Sequence, residues 1–173
     1  MIRRANAVFR RSGRIAPAVA VVFLLAAAGV AVARSGPATV TSAKGKLGTM
    51  VAARNGHTLY MFTLDKSGKS SCYGTCTKTW APDYTRGKPV AAPGSGIKAS
   101  LLGTIKRQSG AYQATYNGHP LYFYSGDKQT GDMHGEARNT FGGRWYALGT
   151  NGKALKPINP QNSGGFNPGQ QGY

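Results

Sequence analysis

The sequence predicts a mainly β fold: a compact antiparallel domain, sandwich- or barrel-like, built from repeated Asn-Gly hairpins with little helix. Three observations predict it. The phrase NGHTLYMFTLDK, beginning at Asn55, returns almost unchanged as NGHPLYFYSGDK at Asn117, and each opens on Asn-Gly, the pair that tolerates the positive φ of a tight hairpin turn. After each turn the side chains alternate along a strand, with apolar residues on both faces. Beyond residue 33 no long amphipathic helical period occurs, and the one candidate helical turn lies around Ser100 to Leu102.

In chain order, Arg3, Arg4, Arg10, Arg11 and Arg14 precede an apolar run from Ile15 to Ala33 that ends in Ala31-Val32-Ala33. A basic start, an apolar middle and a small-residue end are the layout of a secretory signal peptide, residues 1–33, cut after Ala33. The competing reading is an uncleaved anchor, since the run approaches the ~20 residues that cross a bilayer. With the leader removed, no transmembrane segment is expected. Residues 34–46, RSGPATVTSAKGK, are small and polar and are expected to form a linker. Residues 47–156 are expected to form the β-repeat domain, with repeat one at about 47–82 and repeat two at about 102–149. The tail, residues 157–173, is rich in Gly, Asn, Gln and Pro without apolar periodicity, so its burial cannot offset the entropy of ordering it, and disorder is expected.

Within the domain, Val51 to Arg54 should run into the Asn55-Gly56 turn and His57 to Thr63 out of it. Tyr112 to Tyr116, Asn117-Gly118 and His119 to Ser125 repeat the pattern. A weaker third version surrounds Asn151-Gly152, and a further return is expected at Gln108-Ser109-Gly110. The triplet Leu-Gly-Thr recurs at Leu47, Leu102 and Leu148. Such self-similarity predicts duplicated units that bury their apolar faces against each other. Leu59 and Met61 oppose Tyr60 and Phe62, as Leu121 and Phe123 oppose Tyr122 and Tyr124, so both faces of each exit strand should be covered; a partner-binding aromatic face is the alternative. His57 and His119 follow the turns and should face Arg54 and Tyr116 across the hairpins.

Tyr60-x-Phe62-x-x-Asp65 and Tyr122-x-Tyr124-x-x-Asp127 resemble the Yx(F/W/Y)xxD signature of a family of bacterial secreted-repeat proteins and predicted lipoproteins. Gly68, Ser70, Cys72, Gly74, Cys76 and Trp80 resemble the ending of that family's first repeat, and Gly131-Asp132, Gly135, Gly142-Gly143 and Trp145 that of its second, with Thr130 where the family has proline and Ala81 in its double-proline segment. No cysteine follows the apolar run of the leader, unlike the lipid-accepting cysteine of many members. The resemblance covers about residues 47–150 and implies an exported, extracytoplasmic location without an assigned activity.

Cys72 and Cys76 are the sharpest chemical feature. In an oxidising compartment an isolated pair is a disulfide, and Gly74 lets the intervening segment bend; the alternative is a redox pair or a soft-metal thiolate site. The run GDKQTGDMHGE gathers Asp127, Asp132, His134 and Glu136, and Asp132, His134 and Glu136 are its candidate metal ligands, although neither an EF-hand nor H-E-x-x-H spacing is present. Asp65 and Asp127 are expected to close turns by accepting backbone N–H groups. No catalytic residue is assigned, because no nucleophile elbow, P-loop or dinucleotide fingerprint occurs. The formal charge is +17, falling to +12 once the leader takes away five arginines and no acid. That field favours an anionic cell-wall or membrane surface, whereas specific nucleic-acid binding lacks a concentrated basic stripe or reading motif. The reading that follows is an exported cell-envelope protein with a non-enzymatic structural or binding domain and no cofactor. A metal or redox protein and a secreted hydrolase with paired acids are the alternatives.

Overall fold

In the computed structural model, which describes residues 36–155, the chain enters along β1 (Thr39–Gly45) and turns back as β2 (Gly48–Ala53), in antiparallel register from Val40↔Ala53 to Gly45↔Gly48. The linker expected at 34–46 is thereby corrected, because Thr39 to Gly45 is a seven-residue strand. Its Thr39-Val40-Thr41 start suits a pleated backbone, and Val40 is fully buried. The signal peptide (1–33) and the tail (157–173) lie outside the described residues. Among the described residues no helix is long and apolar enough to cross a membrane.

The first Asn-Gly turn forms, with a different geometry from the one expected. Ala53 donates to His57 O (2.9 Å), Gly56 donates to Ala53 O (2.8 Å), and only Gly56 has positive φ (79°), which makes a three-residue loop with His57 opposite Ala53 rather than Arg54. The second turn is the two-residue form: β8 (Tyr112–Tyr116) and β9 (His119–Pro120) pair Tyr116↔His119, with Asn117 at φ 50° and Gly118 at φ 79°. Asn151-Gly152 and Gln108-Ser109-Gly110 follow the first pattern, each with its glycine alone at positive φ. β7 (Leu102–Lys106) and β8 form the hairpin of repeat two. The Leu-Gly-Thr triplets do not mark equivalent places: the first spans the β1–β2 turn and the second opens β7.

After its hairpin each repeat sends a short strand into a shared central sheet. These are β3 (Tyr60–Phe62) and β10 (Tyr122–Tyr124), followed later in each repeat by β4 (Trp80–Pro82) and β12 (Gly143–Ala147); β11 (Asn139–Thr140) edges the sheet beside β12. The order is β11-β12-β3-β10-β4. From β12 onward repeat-two and repeat-one strands alternate, and the last strand of each repeat pairs with the motif strand of the other: Trp145↔Phe62 and Ala147↔Tyr60 on one side, Tyr124↔Trp80 and Tyr122↔Pro82 on the other. The exchange continues outward. Chain beyond β4 becomes β5 (Tyr84–Thr85) on β8, and chain beyond β12 reaches β2 through a Met50↔Gly149 bridge. β6 (Val90–Ala91) lies parallel to β1, the one parallel pairing among the named strands. Among the described residues helix is confined to α1 (Cys76–Thr79) and a 3₁₀ turn at Ala99–Leu101.

The alternation predicted for the exit strands sorts the core. Leu59, Met61 and Leu121 pack with Val40, Val51, Leu102 and Tyr116 from the hairpins, while Tyr60, Phe62 and Tyr122 pack on the opposite face with Trp80, Trp145, Met50, Met133 and the two cysteines. Both faces of the central sheet are covered.

Candidate functional site

Tyr60 and Tyr122 pair directly across β3 and β10, and an approximate two-fold relation between the repeats passes between them. Each tyrosine is held by the aspartate that ends the other repeat's motif. Tyr60 donates from its hydroxyl to Asp127 Oδ2 (2.6 Å), and Tyr122 donates to Asp65 Oδ2 (2.8 Å). The remaining oxygens accept backbone N–H groups from His134 (2.9 Å) and Ser71 (2.6 Å) respectively. Both aspartates thus accept backbone N–H bonds as expected, and both also clamp the partner repeat. Burial, with a carboxylate against the hydroxyl, raises both tyrosines above their ordinary range. Burial pushes the Asp65 carboxyl up to about 6, against the opposing pull of the Ser71 N–H, the Tyr122 hydroxyl and the Arg107 charge.

The tryptophans complete the exchange. Trp80 and Trp145 are fully buried and stack with ring centroids 3.9 Å apart at 2°, Phe62 stacks on Trp145 at 4.0 Å, and Tyr124 leans on Trp80 at 4.5 Å. Cys72 and Cys76 form a disulfide with Cα atoms 5.4 Å apart, and Cys76 begins the helical turn that leads into Trp80. Both sulfur-bearing residues are buried, which shields the bond from thiol attack, and as a disulfide they offer no thiolate to a metal.

Beside the disulfide lies a buried cation that motif reasoning did not single out. Arg107 is 4% exposed, and its guanidinium donates to Ser70 Oγ (3.0 Å), Gln113 Oε1 (2.5 Å) and Cys72 O, with its carbon 4.4 Å from the Tyr73 ring centre. Gln113 passes the network on to Leu121 O (2.7 Å), and Ser70 Oγ lies 2.8 Å from the Tyr122 hydroxyl, whose own proton goes to Asp65. The basic pair Lys106-Arg107 was visible in the sequence; that its second member turns inward depends on the stretch from Ser70 to Tyr73 meeting the β7–β8 hairpin. Above it opens a cleft of about 340 Å³ lined by Gly68, Lys69, Ser70, Tyr73, Lys106, Arg107 and Gln108.

The candidate ligands Asp132, His134 and Glu136 do not assemble as a trio. Glu136 turns to β12, where its Oε2 accepts the Ala147 N–H (2.8 Å), and Asp127 takes its place: His134 Nδ1 lies 3.4 Å from Asp127 Oδ1 and 3.7 Å from Asp132 Oδ2. These oxygens are already engaged. Asp132 Oδ2 accepts from the N–H groups of Lys128 and Gln129, which hold its carboxyl below the usual range. The cluster is accounted for as the fastening of the 127–134 loop. His57 and His119 are half-buried beside their turns and belong to no such group.

The charges separate by depth. Of the fifteen lysines and arginines in residues 36–155, thirteen are exposed, whereas none of the five acids is: Asp83 and Asp127 are buried, and Asp65, Asp132 and Glu136 are half-buried. No curated protein and no solved structure matches the chain significantly. A family described as a secreted repeat of unknown function matches residues 41–82 and 103–148, segments that begin within or at the edge of the two hairpins and end with the exchanged strands β4 and β12. With its two motifs clamping one another across a single sheet, the chain belongs to that family of secreted repeats.

Proposed function

We propose that this protein is an exported, non-enzymatic binding domain that holds to anionic material of the cell envelope through its cationic surface. The observation that carries this reading is the separation of charge by depth: thirteen exposed basic side chains with no exposed acid among the described residues. A protein kept soluble by a balanced surface would show both signs; a single-signed field draws in polyanions and excludes cations. The acids, meanwhile, are committed to the fold. Asp65 and Asp127, the pair a hydrolase would need, each hold a tyrosine and a backbone N–H.

Electrostatic attachment has a salt signature, because the Debye length shrinks from about 10 Å at 0.1 M to about 3 Å at 1 M. The purified protein is expected to be retained on anionic wall polymer, or on vesicles containing anionic lipid, at low ionic strength and to elute steeply as salt rises. Retention that is indifferent to salt, or none at low salt, defeats the reading.

A further inference from the structure

The two repeats share a set of backbone hydrogen bonds, and one of the buried places where their side chains differ adjoins a cleft. The hydrogen bonds Val51 N–H to Leu148 O and Leu59 N–H to Val51 O recur as Ala114 N–H to Asp83 O and Leu121 N–H to Ala114 O, so Val51 corresponds to Ala114 and Met50 to Gln113. Counting along the paired strands, from Ala43↔Met50 and Ile105↔Gln113, makes Gly45 correspond to Arg107. The aspartate bonds to Ser71 and His134 likewise make Ser70 correspond to Met133.

One of the two equivalent places is therefore filled by Gly45 and Met50 of the first hairpin with Met133 of the second repeat. The thioether of Met133 takes the room a side chain at 45 would need, since a Cβ there would lie 2.6 Å from its sulfur. The other place is filled by Arg107 and Gln113 of the second hairpin with Ser70 of the first repeat, hydrogen-bonded together. The fold itself accepts an apolar plug, so the buried guanidinium is not demanded by packing. Burying a cation is costly unless its surroundings repay it.

A cleft of about 340 Å³ opens at the polar copy, and Lys69 and Lys106, both exposed, stand on its rim. No acid lines it. Asp65 reaches this network through Tyr122, which lies against Ser70, and lies near enough to Arg107 to feel its charge. Protein acceptors among the described residues take three of the five guanidinium donors, and the rest remain for a ligand.

We propose that this cleft binds a phosphate group carried on a larger molecule, with Lys69 and Lys106 as mobile ligands and Arg107 as a fixed, preorganised charge. Two or three cations match the charge of a phosphate better than that of a carboxylate, a guanidinium plane suits its oxygens, and the volume leaves room for the substituent. The proposal rests on the reading of the protein as a binder of anionic envelope material and names the subsite.

The test titrates inorganic phosphate and glycerol phosphate into the full chain, and separately measures binding to phosphatidylglycerol vesicles. Lys69→Ala/Lys106→Ala is expected to weaken binding of the soluble phosphates about tenfold or more, while Lys98→Ala/Lys153→Ala, which removes the same charge elsewhere, changes it less than about twofold. Ser70→Met/Arg107→Gly/Gln113→Met, which transplants the apolar solution of the equivalent place, should abolish phosphate binding in a folded protein; if it does not fold, the lysine pairs still decide. Selective loss of vesicle binding in Lys69→Ala/Lys106→Ala, without soluble-phosphate binding, supports the same chemistry with a lipid headgroup as its source. Equal weakening by both lysine pairs, or no binding of phosphate in either form, overturns the proposal. Retention of wild type on anionic wall material that survives Lys69→Ala/Lys106→Ala unchanged overturns this site alone; absence of wild-type retention at low salt overturns the broader reading.

Discussion

The tyrosine and aspartate of the family signature act across the repeats, and this makes their substitution more costly than a surface hydrogen bond would be. Tyr60→Phe removes the hydroxyl donor from a carboxylate that is 6% exposed, which should destabilise the protein by about 2 kcal/mol in urea unfolding, whereas Tyr122→Phe should cost less because Asp65 is half-exposed and solvent can replace the donor. Asp65 should also leave a mark on the pH dependence. Its folded pKa, about 6, lies above its ordinary value of 3.8, so the folded state binds more protons between those values; the stabilisation is complete below about pH 4 and is lost as pH rises through about 6. Comparing wild type with Asp65→Asn isolates this contribution from His119, whose pKa burial lowers and whose effect runs the other way. Their stability difference should drift by roughly 1 to 2 kcal/mol across that window once solvent screening is allowed for, and a flat difference refutes the assignment.

Three Asn-Gly pairs look alike in sequence but make two kinds of turn, and mutation should tell them apart. Asn117 sits at φ 50°, where an alanine Cβ is strained by about 1 kcal/mol, while Asn55 is outside that region and Asn55→Ala should cost only a few tenths. The more sensitive position in the first loop is its glycine. Gly56→Ala combines φ 79° with a Cβ 2.5 Å from Thr130 Cγ2, so it should cost more than Asn117→Ala in thermal or urea unfolding. The short loop closed by Cys72 and Cys76 should contribute about 2 kcal/mol on the chain-entropy model, measured as the loss on reduction. Hairpin existence, return positions and strand polarity were legible in the sequence because they depend on neighbours within a few residues. Whether a loop holds two residues or three was not, because that depends on the register of strands already paired. The strand at Thr39 to Gly45 was hidden by its small polar residues and is held by long pairing with β2, and the inward turn of Arg107 depends on Ser70 and Cys72, which lie 37 and 35 residues away in the chain.

At the scale of the whole molecule, the alternation of repeats in the central sheet means that neither repeat holds a complete sheet of its own. β3 lies between β12 and β10, both from the other repeat, and β4 is reached only through β10. A fragment ending near Lys98 would keep its hairpin but expose Tyr60, Phe62 and Trp80 with no partner strand, and an isolated hairpin is marginal in water. It should therefore lack cooperative unfolding and show no near-ultraviolet circular dichroism. The complementary fragment, from Ala99 onward, should behave alike. Mixed in equal amounts, the two should recover the signal of the stacked tryptophans, because Trp80 comes from one fragment and Trp145 from the other and their rings lie 3.9 Å apart only when the strands interleave. A first fragment that folds cooperatively as a monomer would refute strand exchange as the source of stability, and recovery of the tryptophan signal in either fragment alone would do the same.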